Sequence, residues 1–270
     1  MATTVTKELT AQERDELITD LNQFIKWLKG KKIISKLAKV SYVVNFPFSN
    51  ADWVMQYDHE KNQIAFNTFC RKDCSFDYYR SIVLHEFFHL AVQKVPNKDD
   101  AVKIKDDFGD ELMRLIDIEA DFFTALYYKE EKGYSLVQYL KLYYEGSQVF
   151  RDKWIRIGKL QRYIGTLLSI TKMFFAQYNN KLVSSNDLYL VCIGPLSTED
   201  GLHVLVIRKE HIYFELLKAT TTDFIRIREC YSNIDSLTMK GYIEKIVQFA
   251  SSALGLSIPE SIQKEIKDLK

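Results

Sequence analysis

The chain has almost no charge bias. Its 270 residues carry 37 Lys and Arg against 36 Asp and Glu, which gives a formal net charge of +1. A balance this even creates no overall field that would draw the protein to nucleic acid or to an anionic membrane. We therefore expect neither a nucleic-acid nor a membrane partner, and we look for function in local sites.

Cysteines and long hydrophobic runs are also scarce. The four cysteines form no C-x-x-C pair, and four in a chain of this length do not make a disulfide framework. No stretch approaches 18 uninterrupted apolar residues, and Met1–Thr10 contains no apolar signal-like core. With 47% hydrophobic and 27% charged residues, the composition is that of a soluble globular protein. These features predict a cytoplasmic location.

The most informative stretch is Ile82–Val92, which reads I-V-L-H-E-F-F-H-L-A-V. On a helix, His85 and His89 share one face with Cβ atoms about 5–6 Å apart, and Glu86 lies about 100° further round. Burying these three side chains without partners would be unfavourable, so the fold must supply a ligand or open a cleft beside them. Zinc meets that need, although a pair of satisfied core histidines with an ion-paired glutamate is the alternative.

The pattern is H-E-x-x-H, the zincin signature. In this motif two histidines bind Zn²⁺ and the glutamate acts as general base. We therefore predict a Zn²⁺ cofactor, with His85 and His89 as metal ligands and Glu86 as the catalytic residue.

A catalytic zinc has three protein ligands and a water, so one more ligand is required. Three carboxylates compete on the predicted helix Leu112–Tyr128: Asp117, Glu119 and Asp121. Glu119 falls within the apolar face, where a glutamate must be paired or metal-bound. Asp117 and Asp121 are four residues apart on another face, where one can bind metal while the other orients a ligand histidine or where both are simply solvated. The residues leave these arrangements open.

The surrounding segments alternate between helix and strand patterns. Thr10–Gly30 reads as a helix with a Thr10/Glu13 capping box and with Gly30 as its left-handed C-terminal residue. A small antiparallel sheet is predicted from Val40–Phe46, Trp53–Tyr57 and Gln63–Asn67, the last two joined by a polar turn. A helix-rich region follows, from 99 to 180, broken near Gly109, Gly133 and Gly146.

The last third of the chain carries no chemical motif. Its patterns predict strands at Leu188–Ile193, His203–Arg208, Ile212–Leu217 and Phe224–Arg228, and then helices at Ile234–Leu254 and Pro259–Leu269. The polar stretch Asn179–Asn186 separates it from the rest. The predicted organisation is a domain over 1–180 and an α+β segment over 181–270, a candidate recognition or regulatory domain.

Taken with Asp117-Ile-Glu119-Ala-Asp121-Phe-Phe123, the H-E-x-x-H motif resembles the gluzincin metallopeptidases and, among them, the ImmA/IrrE-type enzymes. Their second helix carries E-x-E-A-[ND]-x-F-A. The resemblance places Asp117 or Glu119 as third ligand and Asp121 beside the ligands as a second-shell residue. This chain departs from the family in having the shorter Asp117 where a glutamate is expected. The similarity covers roughly Gln63–Tyr128.

The resemblance implies an α+β fold with a zincin-like core: N-terminal helix, small antiparallel sheet, metal-binding helix and helix-rich segment. Zincins align the substrate backbone along a sheet edge, so Ile64, Ala65, Phe66 and Asn67 are candidate substrate-binding residues, with an interior strand as the alternative. The activity that the resemblance implies is that of a zinc metallopeptidase that cleaves a specific protein, a regulator as in the ImmA/IrrE-type enzymes. A catalytically inert zincin-like binding or regulatory module is the other reading.

Overall fold

A computed structural model describes residues 6–31, 33, 41–46, 55–58, 63–71, 74–89, 120–149, 167, 170–171, 174, 190–195, 202–207, 212–217, 237–254 and 257–270. These residues form an α+β fold. The chain divides into two compact units, Met1–Lys103 and Ile104–Lys270. The predicted domain boundary near residue 180 lies outside the described residues.

The first unit contains five strands and two helices among its described residues. They are β1 (Thr6–Glu8), α1 (Ala11–Gly30), β2 (Ser41–Phe46), β3 (Met55–Asp58), β4 (Gln63–Asn67), β5 (Phe69–Arg71) and α2 (Phe76–Phe88). β1 pairs with β5 in antiparallel fashion, and β2, β4 and β3 form a three-stranded sheet in that order.

Helix α1 begins as its sequence predicts. The Glu13 N–H donates to Thr10 Oγ1 at 3.2 Å, and the Thr10 N–H donates to Glu13 Oε2 at 2.8 Å, which completes the capping box. The helix buries Leu17, Leu21, Phe24 and Leu28 along one face. Its C-terminal end differs from the prediction: Gly30 is still helical and the helix closes on Lys31 at φ −78°, so no left-handed glycine is used there.

The three-stranded sheet is mixed. β3 and β4 pair antiparallel, as the predicted hairpin requires, with Met55 opposite Phe66 and Asp58 opposite Gln63. β2 pairs with β4 in parallel, so the prediction of an antiparallel sheet is wrong for this pair. The chain reverses between β2 and β3 and again between β3 and β4, and β4 lies between the other two. Two reversals leave β2 and β4 running in the same direction.

The second unit combines helices with a separate sheet. Its described elements are α3 (120–131), α4 (Leu136–Val149), β6 (Leu190–Pro195), β7 (Leu202–Ile207), β8 (Ile212–Leu217), α5 (Met239–Leu254) and α6 (Glu260–Lys267). The three strands form an antiparallel meander. The predicted strand Phe224–Arg228 lies outside the described residues.

The break between α3 and α4 occurs where the sequence predicts it. Gly133 adopts φ 68°, a left-handed conformation that L-residues with a side chain rarely take. The next residue, Tyr134, donates its N–H to the Tyr128 carbonyl at 3.0 Å and closes the end of α3. No helix in the described part of the chain is long and apolar enough to span a bilayer.

Candidate metal centre

Helix α2 carries the H-E-x-x-H motif. Its N-cap is Ser75, whose hydroxyl accepts the Tyr78 N–H at 3.2 Å. The last helical residue is Phe88, and His89 keeps helical torsions of φ −55° and ψ −48° while its N–H donates to the carbonyls of His85 and Glu86. The motif is therefore helical throughout, and His89 lies one turn beyond His85.

The two imidazole rings meet through the same ring atom. His85 Nε2 and His89 Nε2 are 2.9 Å apart, and the ring centroids are 4.5 Å apart with planes at 87°. Both side chains are half-buried. Two Nε2 lone-pair positions that converge in this way suit one shared partner, which is either a proton held between the rings or a cation bound by both.

The separation of the Nε2 atoms tests the fit to zinc. With Zn–N distances of about 2.0–2.1 Å and a tetrahedral angle, two ligating nitrogens stand about 3.3 Å apart. The distance between the two Nε2 atoms must increase from 2.9 Å by about 0.4 Å, which small side-chain rotations can provide. The donor set also fits, because imidazole nitrogen is a preferred zinc ligand.

The residues around the three polar side chains of the motif are apolar and buried. Val83, Leu84, Phe87 and Phe88 are all fully buried, whereas Glu86 is half-buried. The three polar side chains of the motif are therefore only partly exposed to water, and they lie next to the apolar core. A carboxylate in that position can exchange protons with a water molecule at the same face of the helix.

The third ligand stays a prediction. Asp117 and Glu119 lie outside the described residues, and Asp121 is a half-buried residue of α3 in the second unit. Among the residues that the structure describes, no three His, Cys, Asp or Glu side chains group closely enough to hold a metal. The neighbours of Asp121 on α3 agree with the predicted apolar face, because Phe122, Phe123 and Leu126 are buried.

The predicted substrate-aligning strand has a different position from the one expected. Ile64, Ala65, Phe66 and Asn67 lie in β4, which pairs with β2 on one side and with β3 on the other. The expectation of a sheet edge is wrong, since both backbone ladders of β4 are engaged and no substrate strand can add to it. Ala65, Phe66 and Asn67 are also buried. The interior-strand alternative describes β4.

Two contacts that hold α2 in place were not predicted from the sequence. The buried Tyr79 hydroxyl donates to the Asn67 carbonyl at 2.5 Å, at the end of β4. Arg80 Nη2 contacts Asp20 Oδ2 of α1 at 2.6 Å. The sequence did carry one signal of the ion pair. Arg80 lies in a mostly apolar helix, and Asp20 lies among the core positions of α1.

Burial also sets the chemistry of the groups in front of α2. Cys70 and Cys74 are both buried, and loss of hydration raises the pKa of the Cys70 thiol above its ordinary value. The pKa of the Tyr79 hydroxyl is raised for the same reason. The Cys70 thiol and the Tyr79 hydroxyl therefore stay protonated at neutral pH, and a buried thiol of this kind is a poor nucleophile.

Comparison of the chain with models of protein families, with curated proteins and with solved structures finds no match.

Proposed function

We propose that this protein is a zinc-dependent metallopeptidase that cleaves a protein substrate. The observation that carries the proposal is the 2.9 Å approach of His85 Nε2 to His89 Nε2 on a helix that also bears Glu86. Two candidate metal ligands and a candidate general base thus occur within five positions of one helix. The proposal also includes a cytoplasmic location, which the absence of a long apolar run in the sequence favours.

In this proposal His85 and His89 hold the zinc ion, with Asp117 or Glu119 as third ligand and Asp121 hydrogen-bonding a ligand side chain. When bound, zinc acts as a Lewis acid that polarises the scissile carbonyl and increases the acidity of water. Glu86 accepts a proton from the attacking water and returns it to the leaving amine. Half-burial of Glu86 supports this role, because its carboxylate stays partly open to water next to His85.

The substrate that we propose is a specific regulatory protein. This follows from the resemblance to ImmA/IrrE-type enzymes. An inert zincin-like module that binds a partner without cutting it is the second candidate. It shares the two histidines with the first candidate, and differs from it in requiring nothing of Glu86.

The experiment compares wild-type protein with Glu86→Gln in the cells from which the chain derives. Newly formed protein N-termini are quantified by mass spectrometry, and zinc is measured in both purified proteins. We expect wild type to generate N-termini that Glu86→Gln does not, while both retain zinc, because glutamine fills the same volume but accepts no proton. Equal N-termini in both samples, with zinc retained, would support the binding module and contradict the peptidase.

His203→Ala serves as the matched control. His203 lies in β7, in the second unit, and pairs across the sheet with Gly194 and Leu216. Its replacement removes one imidazole and leaves the H-E-x-x-H sequence intact. We expect His203→Ala to generate the same N-termini as wild type.

A further inference from the structure

Helix α2 is attached to α1 along one well-defined face. Arg80 and Phe87 are seven residues apart, so they lie on the same stripe of the helix, about 20° apart. Arg80 reaches Asp20 of α1 at 2.6 Å, and the Phe87 ring packs edge-on against Phe24 of α1 with centroids 6.1 Å apart. One polar contact and one apolar contact therefore fix which side of α2 faces α1.

The histidine pair lies on the opposite face of the same helix. At 100° per residue, His85 is about 140° and His89 about 180° from Arg80. Docking of the Arg80 stripe against α1 thus directs both imidazoles away from α1. A rotation of α2 about its axis would move both Nε2 atoms together.

The polar contact is the more specific of the two. The Asp20 side chain is 5% exposed and that of Arg80 is 16% exposed, so the ion pair is largely shielded from water. Arg80 also lies within 4 Å of Asp77 and Glu16, at 3.3 Å and 3.8 Å. Apolar surfaces tolerate sliding and rotation, whereas the 2.6 Å approach of Arg80 Nη2 to Asp20 Oδ2 is kept only while Arg80 faces α1.

The geometry points to Arg80 and Asp20 as positioning residues for the histidine pair. This inference rests on the proposed metal site for its functional meaning. Arg80 and Asp20 touch neither histidine, and act by fixing the rotation of α2 so that the pair is already oriented before metal binds. Preorganisation of this kind raises affinity because fewer degrees of freedom are lost on binding.

The test separates orientation from stability with matched variants in the full-length protein. Asp20→Asn removes the buried charge that contacts Arg80, and Thr10→Ala removes the capping box at the start of α1, away from Asp20. We expect Asp20→Asn to weaken zinc binding about tenfold, the lower end of what loss of ligand-orienting partners costs. Thr10→Ala should leave zinc affinity unchanged although it also lowers stability.

A second readout works without metal. In the metal-free protein, nitrogen-15 correlation spectra of the histidine rings should show shifts of His85 and His89 in Asp20→Asn and none in Thr10→Ala. Arg80→Lys, a milder change that keeps the charge beside Asp20, should show an intermediate effect and gives the answer if Asp20→Asn does not fold. Unchanged His85 and His89 spectra in both Asp20→Asn and Arg80→Lys would overturn the inference, whereas absence of zinc from wild type would contradict only the proposed function.

Discussion

The three carboxylates around Arg80 provide a graded test of what holds the first unit together. Asp20 Oδ2 lies 2.6 Å from the guanidinium with 5% of its side chain exposed. Asp77 lies at 3.3 Å with 54% exposed, and Glu16 at 3.8 Å with 45% exposed. The Arg80 guanidinium thus has one buried carboxylate partner and two solvated ones. Neutralising each carboxylate in turn compares buried and exposed ion pairs around the same cation.

The expected magnitudes follow from burial. Breaking a buried pair destabilises by about 3–5 kcal/mol because a charge is left without compensation. Arg80 keeps two other carboxylates in Asp20→Asn, so we expect the free energy of unfolding to fall by about 2–3 kcal/mol. Exposed pairs contribute about 0.2–1 kcal/mol, and we expect about 0.5 kcal/mol for Asp77→Asn and less for Glu16→Gln.

Amide hydrogen exchange of peptides from α1 and α2, read by mass spectrometry, measures these differences locally. It reports the opening free energy of each segment and does not require the whole chain to unfold in one step. Raising the salt concentration should reduce the effects of the two exposed carboxylates more than that of Asp20. An equal loss of protection in all three variants, or a greater loss in Asp77→Asn, would refute the argument from burial.

Three further predictions concern the same unit. Phe87→Ala should lower the free energy of unfolding by about 3–5 kcal/mol in denaturant titration, because Phe87 is fully buried against Phe24; a loss below 1 kcal/mol would contradict that packing. Thr10→Ala should cost about 1 kcal/mol by the same titration through loss of the cap with Glu13, and no change would show the cap to be energetically silent. Burial raises the Cys70 pKa above the ordinary 9.0, so stability is retained below that pH and lost as pH rises through the raised pKa. The alkaline loss should be smaller in Cys70→Ala, as followed by unfolding at pH 8 and pH 10.5, and an identical loss would exclude the thiol as its source.

Local features of the sequence predicted much of this fold. The Thr10/Glu13 capping box and the Gly133 break both depend on residues within a few positions of each other, and both are present. β8 spans Ile212–Leu217, as predicted from its apolar pattern. Contacts of this range are encoded in neighbouring residues, so periodicity and turn chemistry are sufficient to find them.

Contacts between residues far apart in the sequence were harder to predict. The parallel alignment of β2 with β4, and the central position of β4, depend on how three short strands stack, which alternation of side chains does not specify. The contacts of Tyr79 with Asn67 and of Arg80 with Asp20 join residues 12 and 60 positions apart. A hydrophobic pattern marks all four positions only as buried or polar and does not pair them.

The candidate metal site also has a part that local sequence predicts and a part that depends on long-range contacts. His85 and His89 converge because helical geometry alone brings positions four apart onto one face. The choice among Asp117, Glu119 and Asp121 depends on contacts between segments far apart in the sequence, which local patterns do not specify. The position of the histidine pair can therefore be predicted from one helix alone, without knowledge of the rest of the fold.

The most direct test of the metal site is the zinc content of purified protein, measured by inductively coupled plasma mass spectrometry after dialysis against buffer to which only trace zinc is added. We predict one zinc per chain in wild type and in His203→Ala, and less than a tenth of that in His85→Ala and in His89→Ala. Zinc that persists in both motif variants, or a wild-type protein without zinc, would contradict the assignment of His85 and His89 as metal ligands.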